Sequence, residues 1–466
     1  MLQRFTLIEA ALPLSTAALL LVGSILFFPV KFYWPLGIGA LTAALIAHRR
    51  GYSPRALVSG AFNGMRATVI ALSILVLVGS LIGVWMAAGT VPTLVYYGLF
   101  FASPRFLVPV AFLLALAVSM MLGTSIGTLS TLGVAIMGVA HGVGAPAPLV
   151  AGALVSGALF GDRSSPLSGS LNLNVAMTGA DLREMLGRLW RTGGPAVLIT
   201  LVLYAVAGLW FDPAEGAVGA GLRESLAARV RISPWLLLPP AVVLGLSFAR
   251  VKVMWALGFG VLTGVFLAVA VGGQEPLQPV LAGLFGHRAA TGDPALDRIV
   301  AGGGVLPMAH QVILILVAGA FNGIMETTGM MAMVLERVVE GIRRPLALVA
   351  STMAISTAVS AIAANQALAI IIPGRMLRPV YQRNGLPLTL LSRTLADSGT
   401  LFAGLIPWNV MGMLAAAAMG LPVMSFAPYA FLVFVLPGLS LWETYREERA
   451  MVGSNQPVAH RLAAGD

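Results

Sequence analysis

The chain of 466 residues is 58% hydrophobic and only 10% charged, and its mean hydropathy is +0.92. A soluble globular domain carries roughly 25% charged residues, so this composition excludes one and indicates a polytopic membrane protein. The net charge of +10 is spread over short connectors, which favours membrane orientation over nucleic-acid binding, and the lack of cysteine excludes a disulfide framework and a thiolate metal site.

Apolar stretches of bilayer-spanning length follow one another through the first half of the chain. They predict spans at residues 7–28, 33–47, 67–88 and 190–211. Residues 107–140 are too long for one span and have a polar centre at Gly123–Thr128, which predicts a re-entrant helical hairpin with this tip in the membrane. Residues 149–178 predict a helix that is broken at Asp162–Pro166.

The second half of the chain divides in the same way. Its predicted spans lie at residues 235–250, 253–271 and 309–329, and a final span ends near residue 442. Residues 346–377 predict a second hairpin with its tip at Ala364–Gln366, and residues 388–420 predict a second broken helix.

Internal repetition supports this division of the chain into spans, hairpins and broken helices. The matches are Gly37–Thr42 with Gly258–Thr263 (offset 258 − 37 = 221), Gly89 with Gly329 (offset 240), and Pro146 and Pro166 with Pro387 and Pro407 (offset 241). A unit of about 200 residues is therefore duplicated. Because each unit contains five net crossings, an odd number, the second unit is expected to be inverted relative to the first.

The predicted organisation is a first transmembrane repeat at residues 1–211, a connecting loop at 212–234, a second repeat at 235–442 and a tail at 443–466. With the N-terminus inside, the arginine-rich connectors and the tail all lie in the cytoplasm, as the positive-inside rule requires. The sequence thus predicts an all-α protein of the inner (plasma) membrane with both termini cytoplasmic. A homodimer is one assembly that it allows.

Polar residues cluster at the two hairpin tips and the two helix breaks. Unwound backbone and polar side chains are tolerated at membrane depth where they line a protected site, and paired breaks in two halves are typical of a transporter's binding site. The candidate ion or substrate ligands are Thr124, Ser125, Asp162, Ser165, Ser168, Asn172, Asn174, Asn365, Asp397, Ser398, Thr400 and Asn409.

Three carboxylates, Asp162, Asp397 and Glu326, are candidates for proton coupling, because a carboxylate at membrane depth is costly unless it is paired, protonated or functional. The structural alternative is permanent neutralisation of Asp162 by Arg163 and of Asp397 by Arg393.

Other classes of function fit less well. A channel needs a continuous polar path, and an enzyme would show a metal or phosphate motif or a histidine near Ser165, none of which the sequence contains. The sequence predicts a secondary transporter that works by alternating access, with no catalytic residues and no cofactor beyond the transported Na⁺ and H⁺.

Several segments resemble the NhaC-type sodium/proton antiporters of the ion-transporter superfamily. Residues 158–168 are similar to that family's G-D-K-x-S-P-L-S signature, and residues 372–376, 392–400 and 406–409 are similar to its I-P-G-R-M, S-R-T-L-x-D-S-G-T and I-P-W-N stretches. The resemblance implies exchange of external protons for internal sodium. It also implies a sodium site at Asp162, Ser165, Asp397 and Asn409, with Ser168 at a further family position.

One departure from the family pattern lies beside the first break. Where the family continues S-P-L-S-D-T-T-N-L, this chain has Gly169 in place of the acid and Leu171 in place of a hydroxyl. Since losing a negative charge would suit an anionic or zwitterionic substrate, the alternative is a sodium- or proton-coupled exchanger of a small organic or amino acid, as in malate/lactate antiport. Arg163 and Arg375 would then contact the substrate's carboxylate.

Overall fold

A computed structural model describes residues 5–27, 30–101, 104–210, 218–288, 291, 297, 301–331, 333, 334 and 344–452. Throughout these residues the chain forms helices joined by short turns, and the one β interaction among them is an isolated bridge between His287 and Gly302. The predicted all-α class is confirmed.

The first half of the chain contains twelve helices in the described residues. They are α1 Leu7–Leu26, α2 Tyr33–Arg49, α3 Pro54–Ala67, α4 Val69–Ala88, α5 Thr90–Phe101, α6 Pro104–Leu122, α7 Ser125–Thr128, α8 Val134–Gly142, α9 Ala147–Ser164, α10 Gly169–Thr178, α11 Leu182–Leu209 and α12 Val218–Arg229. A π-helical turn at Leu129–Gly133 joins α7 to α8 without a break.

The second half contains eleven helices in the described residues. They are α13 Leu238–Phe248, α14 Val253–Ala270, α15 Leu277–Phe285, α16 Ala309–Thr328, α17 Pro345–Ile362, α18 Gln366–Arg383, α19 Leu388–Ala396, α20 Gly399–Phe402, α21 Val410–Met419, α22 Val423–Phe426 and α23 Phe431–Val452. Short 3₁₀ turns precede α13 and α16 and follow α20 and α22.

Eight helices are long and apolar enough to cross a membrane, and up to ten if each of two bent helix pairs is one span. The polytopic membrane class is therefore confirmed for the described residues. The eight include α6, the run from α7 to α8, and α17, which the sequence assigned to hairpins, so the count of ten spans plus two hairpins stays a prediction.

Some boundaries differ from the sequence prediction. The span predicted at residues 67–88 begins at Val69, because the chain breaks at Thr68 between α3 and α4. Part of the predicted connecting loop is helical, as α12, and the predicted tail begins inside α23, which continues to Val452. Two carboxylates of this extension lie within ion-pair distance of arginines, Glu447 at 3.5 Å from Arg188 and Glu448 at 3.7 Å from Arg344. The rest of the tail lies outside the described residues.

The two repeats share special backbone positions at a constant offset of 241 residues. The left-handed positions that match are Gly123 and Ala364 (φ +67° and +48°), Gly144 and Gly385 (+67° and +65°), and Gly179 and Gly420 (+73° and +67°). The helix N-caps that match are Thr124 with Asn365 and Ser168 with Asn409. The duplication that the sequence indicates therefore also appears in the backbone. Left-handed turns favour glycine, and helix N-caps favour serine, threonine and asparagine, so both repeats carry such residues at matching positions.

Helices of one repeat pack against helices of the other. The indole of Trp85 on α4 donates to the carbonyl of Gly260 on α14 at 3.2 Å, and Gln274, beyond α14, donates to the carbonyl of Ala87 at 2.6 Å, so α4 and α14 run parallel. Likewise α2 runs beside α16, with Lys31 against His310 at one end and Tyr52 against the Thr328 carbonyl at the other.

Helices α3 and α16 contact each other closely at glycine residues. A Cβ at Gly64 would lie 2.0 Å from the Gly319 carbonyl oxygen, and a Cβ at Gly323 would lie 2.0 Å from that of Gly60. Small residues four apart on both helices let the backbones touch, and the pairing runs antiparallel. The inverted arrangement of the repeats stays a prediction.

Candidate functional site

Each hairpin tip lies against the break of the broken helix in its own repeat. In the first repeat, a Cβ at Gly123 would meet the Leu167 carbonyl carbon at 2.6 Å, in the turn between α9 and α10. In the second repeat, the amide of Val410 donates to the Ala364 carbonyl at 3.0 Å, where the helices on either side of the break are bent by 51°. Both breaks therefore lie within the residues predicted to form broken helices, and a predicted tip lies against each.

Asp162, in the last turn of α9, accepts four side-chain hydrogen bonds although its side chain is almost fully buried, with 6% exposed. The hydroxyls of Ser168, Ser125 and Ser170 donate at 2.7, 3.0 and 3.2 Å, and the amide of Gln366 donates at 3.4 Å. These donors come from the first tip, the first break and the tip of the other repeat. Gln366 also donates to the Thr400 carbonyl at 3.3 Å. Asp162 is thus one of the points where the two repeats meet.

Three helix N-termini surround this carboxylate. Ser125 is the first residue of α7, Ser170 lies in the first turn of α10, and Gln366 is the first residue of α18. The positive ends of the helix dipoles and the polar donors together offset part of the cost of burying a carboxylate.

Arg163 turns away from Asp162 and pairs with Asp397 of the other repeat. Its Nε donates to Asp397 Oδ1, and both side chains are fully buried. Its remaining donors reach Ser164 Oγ at 3.1 Å, the Leu189 carbonyl at 3.2 Å and Thr192 Oγ1 at 3.0 Å. The structure therefore does not contain the ion pair between Asp162 and Arg163 that the sequence offered as the structural alternative.

Arg393 likewise does not pair with Asp397. Its Nη1 donates to Glu443 on α23, and its Nη2 donates to Thr444 Oγ1 at 2.9 Å. Asp397 Oδ2 is buried without a hydrogen-bond partner. Asp397 is thus neutralised by Arg163, whereas Asp162 faces no cationic side chain in the part of the chain that the structure describes.

The other predicted ligands stabilise the breaks and tips themselves. Ser165 donates to the Met120 carbonyl, Asn172 to the carbonyls of Pro166 and Ser168, Asn174 to the Ser392 carbonyl, Ser398 to the Thr394 carbonyl, Thr400 to the Leu395 carbonyl and Asn409 to the Ser360 carbonyl. Thr124 and Asn365 cap α7 and α18 with their side chains. Of the predicted ligands, the structure brings together Ser125, Asp162 and Ser168, with the Thr400 carbonyl linked through Gln366.

Comparison with known proteins places the chain in a family. The profile of the Na⁺/H⁺ antiporter family matches residues 157–442, which include Asp162, both breaks and the second tip. The chain belongs to the Na⁺/H⁺ antiporter family.

Relatives of similar length agree with this assignment. The chain is 32% identical over 426 residues to the Na⁺/H⁺ antiporter NhaC of Bacillus subtilis (strain 168), covering 91% of this chain and 94% of the relative. It is 31% identical over 443 residues to NhaC of Alkalihalophilus pseudofirmus (95% and 96% covered). It is 31% identical over 452 residues to the malate-2H⁺/Na⁺-lactate antiporter of Bacillus subtilis (strain 168), with 94% of each chain covered. The resemblance to NhaC-type antiporters is confirmed.

Two side chains that donate hydrogen bonds to Asp162 were not among the predicted ligands. Ser170 lies two residues after a predicted ligand, and Gln366 is the last residue of the predicted second tip. A signal was available for Gln366, since it is a polar residue of the predicted second tip, next to the predicted ligand Asn365. No signal in the sequence shows which face of α10 carries Ser170.

Glu326 and Arg375 lie away from Asp162. Together with Asn322 they line a separate cavity of about 400 Å³ between α16 and α18. Both charged side chains are exposed. The structure therefore divides the predicted residues of this family member into two regions, one around Asp162 and one around Glu326.

Proposed function

We propose that this protein exchanges sodium ions for protons across the membrane by alternating access, and that the two cations compete for Asp162. The observation that carries the proposal is the set of donors around this carboxylate. It is buried, it is reached by three hydroxyls and one amide from both repeats, and no cationic side chain among the described residues neutralises it.

A carboxylate in this setting can hold either cation. Burial penalises a bare charge, so the state with a bound proton and the state with a bound sodium ion are both favoured over the empty ionised state. Competition at one carboxylate makes the release of one cation the condition for binding the other. That is the requirement for coupled exchange.

The proposed sodium ligands are a revised set. Sodium is a hard cation that prefers oxygen ligands, and rotation of the hydroxyls of Ser125, Ser168 and Ser170 would turn their lone pairs toward an ion beside Asp162. The Thr400 carbonyl is within reach of Gln366 and would supply an oxygen from the second repeat. Ser165 and Asn409, which the sequence also proposed, have their side-chain polar atoms engaged elsewhere, and Asp397 is paired with Arg163 through Oδ1.

The site also suits alternating access. Its donors come from two tips and one break, so a displacement of either tip would dismantle the site and expose Asp162. We infer the plasma membrane as the location, with both termini cytoplasmic, from the basic connectors. As a transporter the protein would need no cofactor and no catalytic residue beyond the transported ions.

The test uses purified protein in proteoliposomes that contain a pH-sensitive dye. A sodium pulse is expected to drive proton movement with the unaltered protein and none with Asp162→Asn. Asp181→Asn is the matched control, because Asp181 is an exposed carboxylate that caps α11. Coupled exchange by Asp162→Asn at the normal rate would contradict the assignment. If the unaltered protein responds to malate, lactate or amino acids but not to sodium or lithium, the alternative substrate class is correct.

A further inference from the structure

The cavity between α16 and α18 combines an acid, a base and an amide with an apolar lining. Glu326, Asn322 and Arg375 supply the polar groups, and methionine, leucine and isoleucine side chains, among them Met325 and Leu368, supply most of the rest. Its volume of about 400 Å³ falls within the roughly 300–1,000 Å³ typical of small-molecule sites, which are mostly apolar with a few convergent polar groups.

The polar groups of the cavity are available to a ligand. In the part of the chain that the structure describes, neither Glu326 nor Arg375 forms an ion pair, and Asn322 Oδ1 is buried without a partner. Both charged side chains are exposed, so a ligand can reach them. Glu326 and Arg375 line one cavity without pairing with each other. They therefore suit a ligand that carries both a positive and a negative charge.

The duplication offers an internal comparison. At the offsets that relate the repeats, the first-repeat counterparts of Asn322, Glu326 and Arg375 are Ile82, Met86 and Val134. All three counterparts are apolar, and Ile82 and Val134 are buried. The fold of the repeat therefore does not require polar groups here. The charges of Glu326 and Arg375 are a property of the second repeat alone, as expected for a binding site.

We propose that this cavity binds a small zwitterion, an amino acid with an apolar side chain. Its carboxylate would contact Arg375, its ammonium group would contact Glu326 and Asn322 Oδ1, and its side chain would lie against the methionine, leucine and isoleucine residues. This site is separate from the sodium site at Asp162, and the proposal does not depend on sodium/proton antiport.

The cavity is joined to the cation site through the second tip. Asn322 Nδ2 donates to the Ala363 carbonyl at the end of α17, and three residues later Gln366 donates to Asp162 at 3.4 Å. A ligand in the cavity would therefore contact the residue that fixes this tip. Occupancy is expected to change the apparent sodium affinity as well, because the tip holds one of the donors to Asp162.

The experiment measures equilibrium binding of radiolabelled leucine to the purified full-length protein in detergent. Unlabelled leucine is expected to compete, whereas leucine methyl ester, which lacks the carboxylate, and N-acetyl-leucine, which lacks the ammonium group, are not. Arg375→Gln and Glu326→Gln are each expected to raise the Kd about tenfold or more, since each removes a charge-assisted contact.

Matched controls are available on the same chain. Arg383→Gln alters an exposed arginine on α18, and Glu275→Gln alters an exposed glutamate in the turn before α15, and both should bind leucine normally. Thermal unfolding of each variant shows whether it is folded. The proposal is overturned if leucine does not bind, if both cavity variants bind it normally, or if malate binds better than leucine and Glu326→Gln strengthens malate binding. The sodium-pulse assay on the same preparation reports separately on antiport.

Discussion

Asp162 and Arg163 are adjacent in the chain, yet their side chains belong to two different buried networks. Asp162 accepts hydrogen bonds from Ser125, Ser168, Ser170 and Gln366, whereas Arg163 pairs with Asp397 in the other repeat. Consecutive residues of a helix point about 100° apart, so they do not face each other. One carboxylate is therefore held by uncharged donors, and the other pairs with an arginine across the two halves of the molecule.

The first prediction concerns the pair between Arg163 and Asp397. Asp397→Asn leaves a buried guanidinium unpaired and is expected to lower the free energy of unfolding by about 3–5 kcal/mol. The double variant Arg163→Met, Asp397→Leu removes both charges and should recover most of this loss. Thermal unfolding in detergent measures both effects. If Asp397→Asn unfolds like the unaltered protein but lacks antiport, Asp397 is a coupling residue after all.

The second prediction separates binding from capping among the serines. Ser125→Ala removes a donor to Asp162 at 3.0 Å and should raise the sodium KM about tenfold with little effect on the unfolding temperature. Ser168→Ala should also lower that temperature, because its hydroxyl caps α10, a contribution of about 1 kcal/mol. Ser73→Ala is the control, since that hydroxyl bonds only within its own helix. Equal KM values in all three variants would remove the hydroxyls from the sodium site.

The third prediction tests the missing family acid. A Cβ at Gly169 meets nothing within 4 Å, and the residue begins α10, where the helix dipole favours a negative charge. Gly169→Asp should therefore fold normally and increase the apparent affinity for sodium. Gly169→Asn, of the same size but uncharged, serves as its control. If the two variants have the same sodium kinetics, charge at this position does not govern cation binding.

The fourth prediction concerns the packing that holds α9 in place. A Cβ at Gly157 would lie 2.4 Å from the Phe112 carbonyl oxygen on α6, so Gly157→Ala must push the two backbones apart. We expect a loss of about 1–3 kcal/mol in the free energy of unfolding. Gly187→Ala, on α11 with open space around it, should be neutral or slightly stabilising. Similar unfolding temperatures for the two variants would show that α6 and α9 adjust without cost.

The sequence by itself determined the class of protein, the places where the chain breaks, and the family. Composition and the length of the apolar stretches decide whether a chain can enter a membrane. A hairpin tip or a helix break needs a glycine, a capping residue or a proline at a fixed position, as Gly123, Ser168 and Asn409 illustrate. These are local requirements, and local requirements can be read from neighbouring residues.

Only the tertiary structure decided which polar residues meet. The sequence grouped Ser165, Asp397 and Asn409 with Asp162, but their hydrogen bonds go to Met120, Arg163 and Ser360. It did not predict Gln366 and Ser170 as partners of Asp162, because contacts between residues 162 and 366 depend on how two repeats pack. The direction in which a side chain points from a helix, and the element it meets there, are set by packing across the whole molecule.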